Sequence, residues 1–178
     1  MKAFKMIRSI YIVIFVLLFA CDSQDLELER DTAPWIQTEA LLYQLEREGI
    51  GLSAEIGYTF ENKTGAQVFL TNCRGAFNLT LEREENGVWK PIWYPFLLAC
   101  LSPPIVIEAG ETFNTQLHLW GALPGNNTGP EFIEDVTSGF YRLVWTSAFV
   151  SYQEDRYPAG EELELMHRVS NRFYLEIE

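Results

Sequence analysis

Residues 73–104 read CRGAFNLTLEREENGVWKPIWYPFLLACLSPP, and this stretch decides the fold. Phe77, Leu79 and Leu81 alternate with Asn78, Thr80 and Glu82, the period of a half-buried strand. Asn86-Gly87 follows, a pair that readily takes the positive φ angles of a tight hairpin, and Val88–Trp93 returns. Pro91 has no amide hydrogen for a ladder, so the returning strand is expected at a sheet edge or broken there. Ser102-Pro103-Pro104 then makes a stiff, non-helical corner.

The same grammar extends in both directions. Upstream, Leu52, Ala54, Ile56, Tyr58 and Phe60 alternate with Ser53, Glu55, Gly57, Thr59 and Glu61, the cleanest period-two run in the chain. Asn62-Lys63-Thr64-Gly65 turns it back, and Val68 and Leu70 continue toward Cys73. Downstream, Ile105–Ile107 is followed by the turn Ala109-Gly110-Glu111. Phe113, Thr115, Leu117 and Leu119 then oppose Asn114, Gln116 and His118. Residues 121–138 are rich in Gly, Pro and Asn and read as a long loop. Phe140–Trp145 is an apolar run suited to a central strand. After an acidic irregular stretch over 153–165, Phe173, Leu175 and Ile177 alternate as the last strand. Only Trp35–Glu48 is ambiguous. Leu41, Leu42 and Leu45 can line a helix, whereas Leu41, Tyr43 and Leu45 can line a strand. About eight or nine short strands joined by turns predict an all-β, immunoglobulin-like β-sandwich.

The N-terminus carries an address. Met1–Arg8 is basic, Ile10–Ala20 is apolar and Cys21 follows, which is the layout of a secretory signal. The apolar run falls short of the roughly 20 residues of a comfortable membrane span. Leu18-Phe19-Ala20-Cys21 resembles a bacterial lipobox, in which the cysteine becomes a lipid-modified first residue. The expected organisation is a lipoprotein signal peptide over 1–20, a lipid anchor and acidic tether over 21–36, and the sandwich over 37–178. Cleavage before Cys21 removes Lys2, Lys5 and Arg8 and takes the formal charge from −12 to −15. So acidic a surface excludes nucleic acid and anionic lipid faces as partners. The expected membrane contact is the lipid on Cys21. Cys73 and Cys100 remain, an even pair outside the reducing cytosol and most simply a disulfide. Closing that loop contributes roughly 3–4 kcal/mol in the chain-entropy model. A metal site at these cysteines lacks nearby histidines to complete four ligands.

Three blocks carry a resemblance. The first is Tyr58–Gly65 with Asn72-Cys73 and Leu81-Glu82-Arg83…Gly87-Val88-Trp89. The second is Cys100–Pro104 with Ala109-Gly110-Glu111-Thr112, and the third is Gly139–Trp145 with Ser170–Phe173. Together they resemble uncharacterised bacterial lipoproteins with a single immunoglobulin-like domain. More distantly they are similar to bacterial Ig-like domains and to intracellular proteinase-inhibitor domains. The resemblance implies fold rather than function. It also implies that Gln37–Tyr43 opens as a strand, against the helical spacing of its leucines.

Candidate sites are few. His118 falls on the polar face of its strand, and His167 follows an acidic loop. Neither lies in a Gly-x-Ser-x-Gly, His-Glu-x-x-His or phosphate-binding pattern, and both read as surface residues. Glu82, Glu84 and Glu85 could form a glycosidase pair, but a charge run beside a hairpin turn is more simply a solvated face. Asn126–Gly129 with Asp135 offers oxygen ligands without the dense alternation of a calcium loop. Asn62, Asn78 and Asn126 begin Asn-x-Ser/Thr sequons, which a bacterial lipoprotein leaves bare. No catalytic residue, metal or cofactor is expected. Aromatic excess is the one suggestive feature. Trp89, Trp93, Tyr94 and Phe96 crowd the hairpin, with Trp120 at the mouth of the long loop. Exposed, they would stack on a glycan or anchor a protein; otherwise they fill the core. The expected function is a non-catalytic, membrane-tethered lipoprotein with a protein-interaction domain in the bacterial envelope. The alternatives are a carbohydrate-binding module, or a proteinase-inhibitor-like domain presenting loop 121–138.

Overall fold

The alternation at 52–61 becomes β3 (Gly51–Glu61), which pairs antiparallel along its whole length with β10 (Thr112–Ala122). This computed structural model describes residues 33–96, 102–153 and 160–177. The signal peptide, Cys21, the tether up to residue 32 and Cys100 lie outside the described residues. The expected Cys73–Cys100 bridge is therefore not described.

Two layers face each other. In the first, the other edge of β3 is shared: β1 (Ile36–Thr38) lies against Tyr58–Phe60, and the end of β2 (Leu42–Glu48) against Gly51–Ser53. The second layer runs β2, β13 (Phe173–Ile177), β11 (Gly139–Trp145), β7 (Leu79–Glu85) and β8 (Val88–Trp93). β2 thus serves both layers, with its first half parallel to β13. Eight strands thus make up the two layers. Five pieces of two or three residues add to them. β4 (Val68–Leu70) pairs with β9 (Ile105–Ile107) and β12 (Ala148–Phe149), and β5 (Asn72–Cys73) pairs with β6 (Ala76–Phe77). The connectivity is that of an immunoglobulin-type sandwich. A second diagnostic agrees: the Tyr141 hydroxyl at the start of β11 donates to the Thr137 carbonyl four residues back, the bond of a tyrosine corner.

The ambiguous N-terminal segment is strand, because β1 and β2 find edges to pair with. Leu41 and Leu42 are exposed and only Leu45 is buried, so the leucine spacing of a helix lines no common face. Residues just before 37 also pack into the sandwich. The compact unit starts at Pro34. Ile36 is fully buried, and the Trp35 ring stacks on His167 with centroids 3.8 Å apart.

The core is aromatic. Tyr58 and Phe60 from one layer and Phe77 from the hairpin present themselves edge-on to Trp145 of the other layer, at 5.9, 5.2 and 5.4 Å. Each such contact adds about 0.5–1.5 kcal/mol beyond the area it buries. Asn62 secures the end of β3. Its fully buried amide donates to the carbonyls of Ala66, Ile107 and Glu108 and accepts from the Thr64 amide and hydroxyl. This sequon asparagine is a structural member. Asn86 and Gly87 take the positive φ expected of the hairpin (52° and 78°). β8 is the edge strand that Pro91 required, with a register shift opposite Leu81/Glu82.

Candidate functional site

β10 is an edge. Its register with β3 is continuous, so alternate residues turn their backbone groups toward β3 and away from it. Three bonds identify the outward set. The Trp120 carbonyl accepts from Trp93 Nε1, the Ala122 amide donates to Pro130, and the Ala122 carbonyl accepts from Phe132. Even-numbered residues therefore face outward. Beyond those covered at Trp120 and Ala122, no described strand pairs with this edge, and the outward groups of Asn114, Gln116 and His118 have no backbone partner among the described residues.

Beside this edge opens a cleft of about 640 Å³, within the size range of ligand sites. Leu117 and Thr115 of β10 form one side, Leu79 of β7 belongs to the facing layer, and Phe77 comes from the β5–β6 hairpin. Phe96, two-thirds exposed, and Arg74 stand at the rim. The Arg74-Gly75 turn holds that rim through positive φ at both residues (53° and 87°). Trp93 and Tyr58 are buried at the base. The Trp93 ring packs over Gly121, where an added Cβ would stand 2.9 Å from it.

Tyr58 is the unusual member. Its side chain is fully buried, yet its hydroxyl makes no hydrogen bond among the described residues. Burial pushes the phenol well above its ordinary pKa. A buried polar group without a partner costs about 1–3 kcal/mol.

The aromatic residues singled out from sequence separate here. Trp93 is buried and Trp120 half-buried, and both line the cleft. Trp89 is half-buried beneath the Arg142 guanidinium, 4.5 Å from the ring centroid. Tyr94 is exposed. A flat, co-exposed platform of Trp89, Trp93 and Tyr94 is therefore not formed, because the extra residue of β8 between Pro91 and Trp93 breaks the alternation that would set Trp89 and Trp93 on one face, Trp93 is buried, and Arg142 caps Trp89. Phe77 and Tyr58, which complete the cleft, read in sequence as ordinary inward aromatics, and no local signal distinguishes them.

The remaining candidates have their own partners. His118 lies at the cleft with Nδ1 2.6 Å from Glu55, while His167 stacks on Trp35. Glu82 pairs with Arg142 at 2.6 Å and Glu84 with Arg172 at 3.1 Å. Glu85 bonds to Lys90 and Arg83, which hold its carboxyl below the usual range. That is opposite to the raised value a general acid needs. Arg83 is itself buried and also binds the Asp135 carbonyl at 2.7 Å, tying β7 to the 134–137 loop. The Asn126 amide bonds back to the Leu123 carbonyl, and no group of three metal-ligating side chains occurs among the described residues. Cys73 is half-buried in β5. Comparison with family models and with curated proteins finds no match.

Proposed function

We propose that this chain is a non-catalytic, membrane-tethered lipoprotein whose sandwich is a protein-interaction domain in the bacterial envelope. The envelope address rests on the leader and on Leu18-Phe19-Ala20-Cys21. In that oxidising compartment Cys73 and Cys100 form a disulfide. The observation that carries the interaction reading is the outer edge of β10, unpaired from Asn114 to His118 among the described residues and bordered by an apolar cleft. An edge left open is a template for another chain, and proteins usually cover or charge it. Here Asn114, Gln116 and His118 put no carboxylate or lysine on it.

The test is chemical cross-linking in intact native cells, followed by capture of the tagged chain. One protein recovered in stoichiometric amount, and lost with Cys21→Ser, is the expected result. Recovery of glycan fragments alone would replace this reading with carbohydrate binding. Recovery of nothing above the Cys21→Ser control would sink it.

A further inference from the structure

Building on the interaction-domain reading, we infer that the cleft takes an extended segment of a partner protein, which adds as a strand to the outer edge of β10 and buries one large apolar side chain over Trp93 and Tyr58. The backbone defines this occupant. Three residues, Asn114, Gln116 and His118, present outward N–H and C=O groups at alternate positions. Only another main chain in extended conformation satisfies such a row.

The cleft defines the rest. In the four-stranded sheet of an immunoglobulin-type sandwich a further strand lies beside the equivalent of β10; no described strand does so here. An added strand turns alternate side chains toward the sandwich interior. There they meet Phe77, Leu79 and Trp93, so the inward residue is apolar and large. Proline is excluded where the segment's amides face β10. With a formal charge of −15 after cleavage before Cys21, the protein draws a segment of positive charge. A second folded copy is a poorer occupant, because the Arg74-Gly75 turn and Phe96 rise at the rim of the same edge.

Random linear peptides displayed on phage are selected against the full chain in detergent micelles, and enriched sequences are titrated by fluorescence anisotropy. Hydrogen exchange is then read residue by residue. The expected result is slowed exchange at the Asn114, Gln116 and His118 amides on binding. Thr115 and Leu117, already bonded to β3, stay unchanged. Gln116→Pro removes an outward amide without touching the β3 ladder, and it weakens the peptides about tenfold or more. Enriched peptides that leave those three amides unchanged would overturn the assignment. So would slow exchange there in the free protein, since the edge would then be covered by its own chain, and so would failure to enrich any peptide. A cross-linked envelope partner whose binding survives Gln116→Pro would leave the interaction domain standing and remove this edge as its site. Edge-pairing peptides with no partner captured in cells would do the reverse.

Discussion

Replacing Tyr58 by Phe separates the stability of this sandwich from the use of its cleft. The ring packs edge-on to Trp145 and is fully buried, and the substitution keeps both features. It deletes a hydroxyl that has no hydrogen-bond partner among the described residues. Leaving such a group buried costs about 1–3 kcal/mol. Allowing for the dispersion attraction that goes with the oxygen, Tyr58→Phe is expected to stabilise the protein by about 1 kcal/mol. With a urea m-value near 2 kcal/mol/M, the midpoint rises by about 0.5 M at unchanged slope. A pH arm follows from the same residue. Burial raises the phenol pKa in the folded state, so its stabilising share is complete below the ordinary value of about 10 and is lost as pH rises through the folded value. Alkaline destabilisation should therefore be shallower in Tyr58→Phe. A urea midpoint that falls by about 0.5 M or more would refute the reasoning, because it would mean the hydroxyl is already bonded in the free protein.

Asn62→Ala leaves the buried Ile107 carbonyl and the Thr64 amide without their partner, and is expected to cost about 3–5 kcal/mol. Urea unfolding checks it, and a loss below about 1 kcal/mol would mean the turn closes without this amide. Tyr141→Phe removes the corner bond to Thr137 while keeping the ring, and should cost about 1–2 kcal/mol with little change in m. Glu85 has a carboxyl pKa lowered by Lys90 and Arg83. Its contribution is therefore present above the ordinary carboxylate value and lost as pH falls through the lowered one. In Glu85→Gln, unfolding midpoints should depend less on pH below about 4 than in the parent, and identical acid limbs would dismiss the pairing as a source of stability.

The candidate site was only partly legible in the sequence. Trp93 and Trp120 were found because tryptophans beside an edge hairpin stand out in composition. Their neighbours Trp89 and Tyr94 stood out equally, yet they belong to other surroundings. What parts them is which way each residue of β8 points and where Arg142 of β11 arrives. Tyr58 and Phe77 carried no mark at all, since an inward aromatic in an alternating strand is the commonest of core residues.

Alternation, turn chemistry and proline placement are local properties. Residues 52–61, Asn86-Gly87 and Pro91 therefore determined by themselves that this chain forms short strands, a tight hairpin and an edge. Even the segment at 36–48, whose leucines favour a helix, yields to pairing once β3 and β13 offer it edges. Which strand keeps an open side is a different kind of fact. β10 carries the same period-two pattern as β3, but among the described residues β3 is paired on both sides and β10 on one. Alternation specifies the faces of a strand and says nothing about its edges, because edge pairing is a hydrogen-bonding relation between segments far apart in the chain. The row at Asn114–His118 and the Tyr58 hydroxyl, both without a partner among the described residues, and the cleft beside them are consequences of that long-range arrangement, and only the tertiary structure decided them.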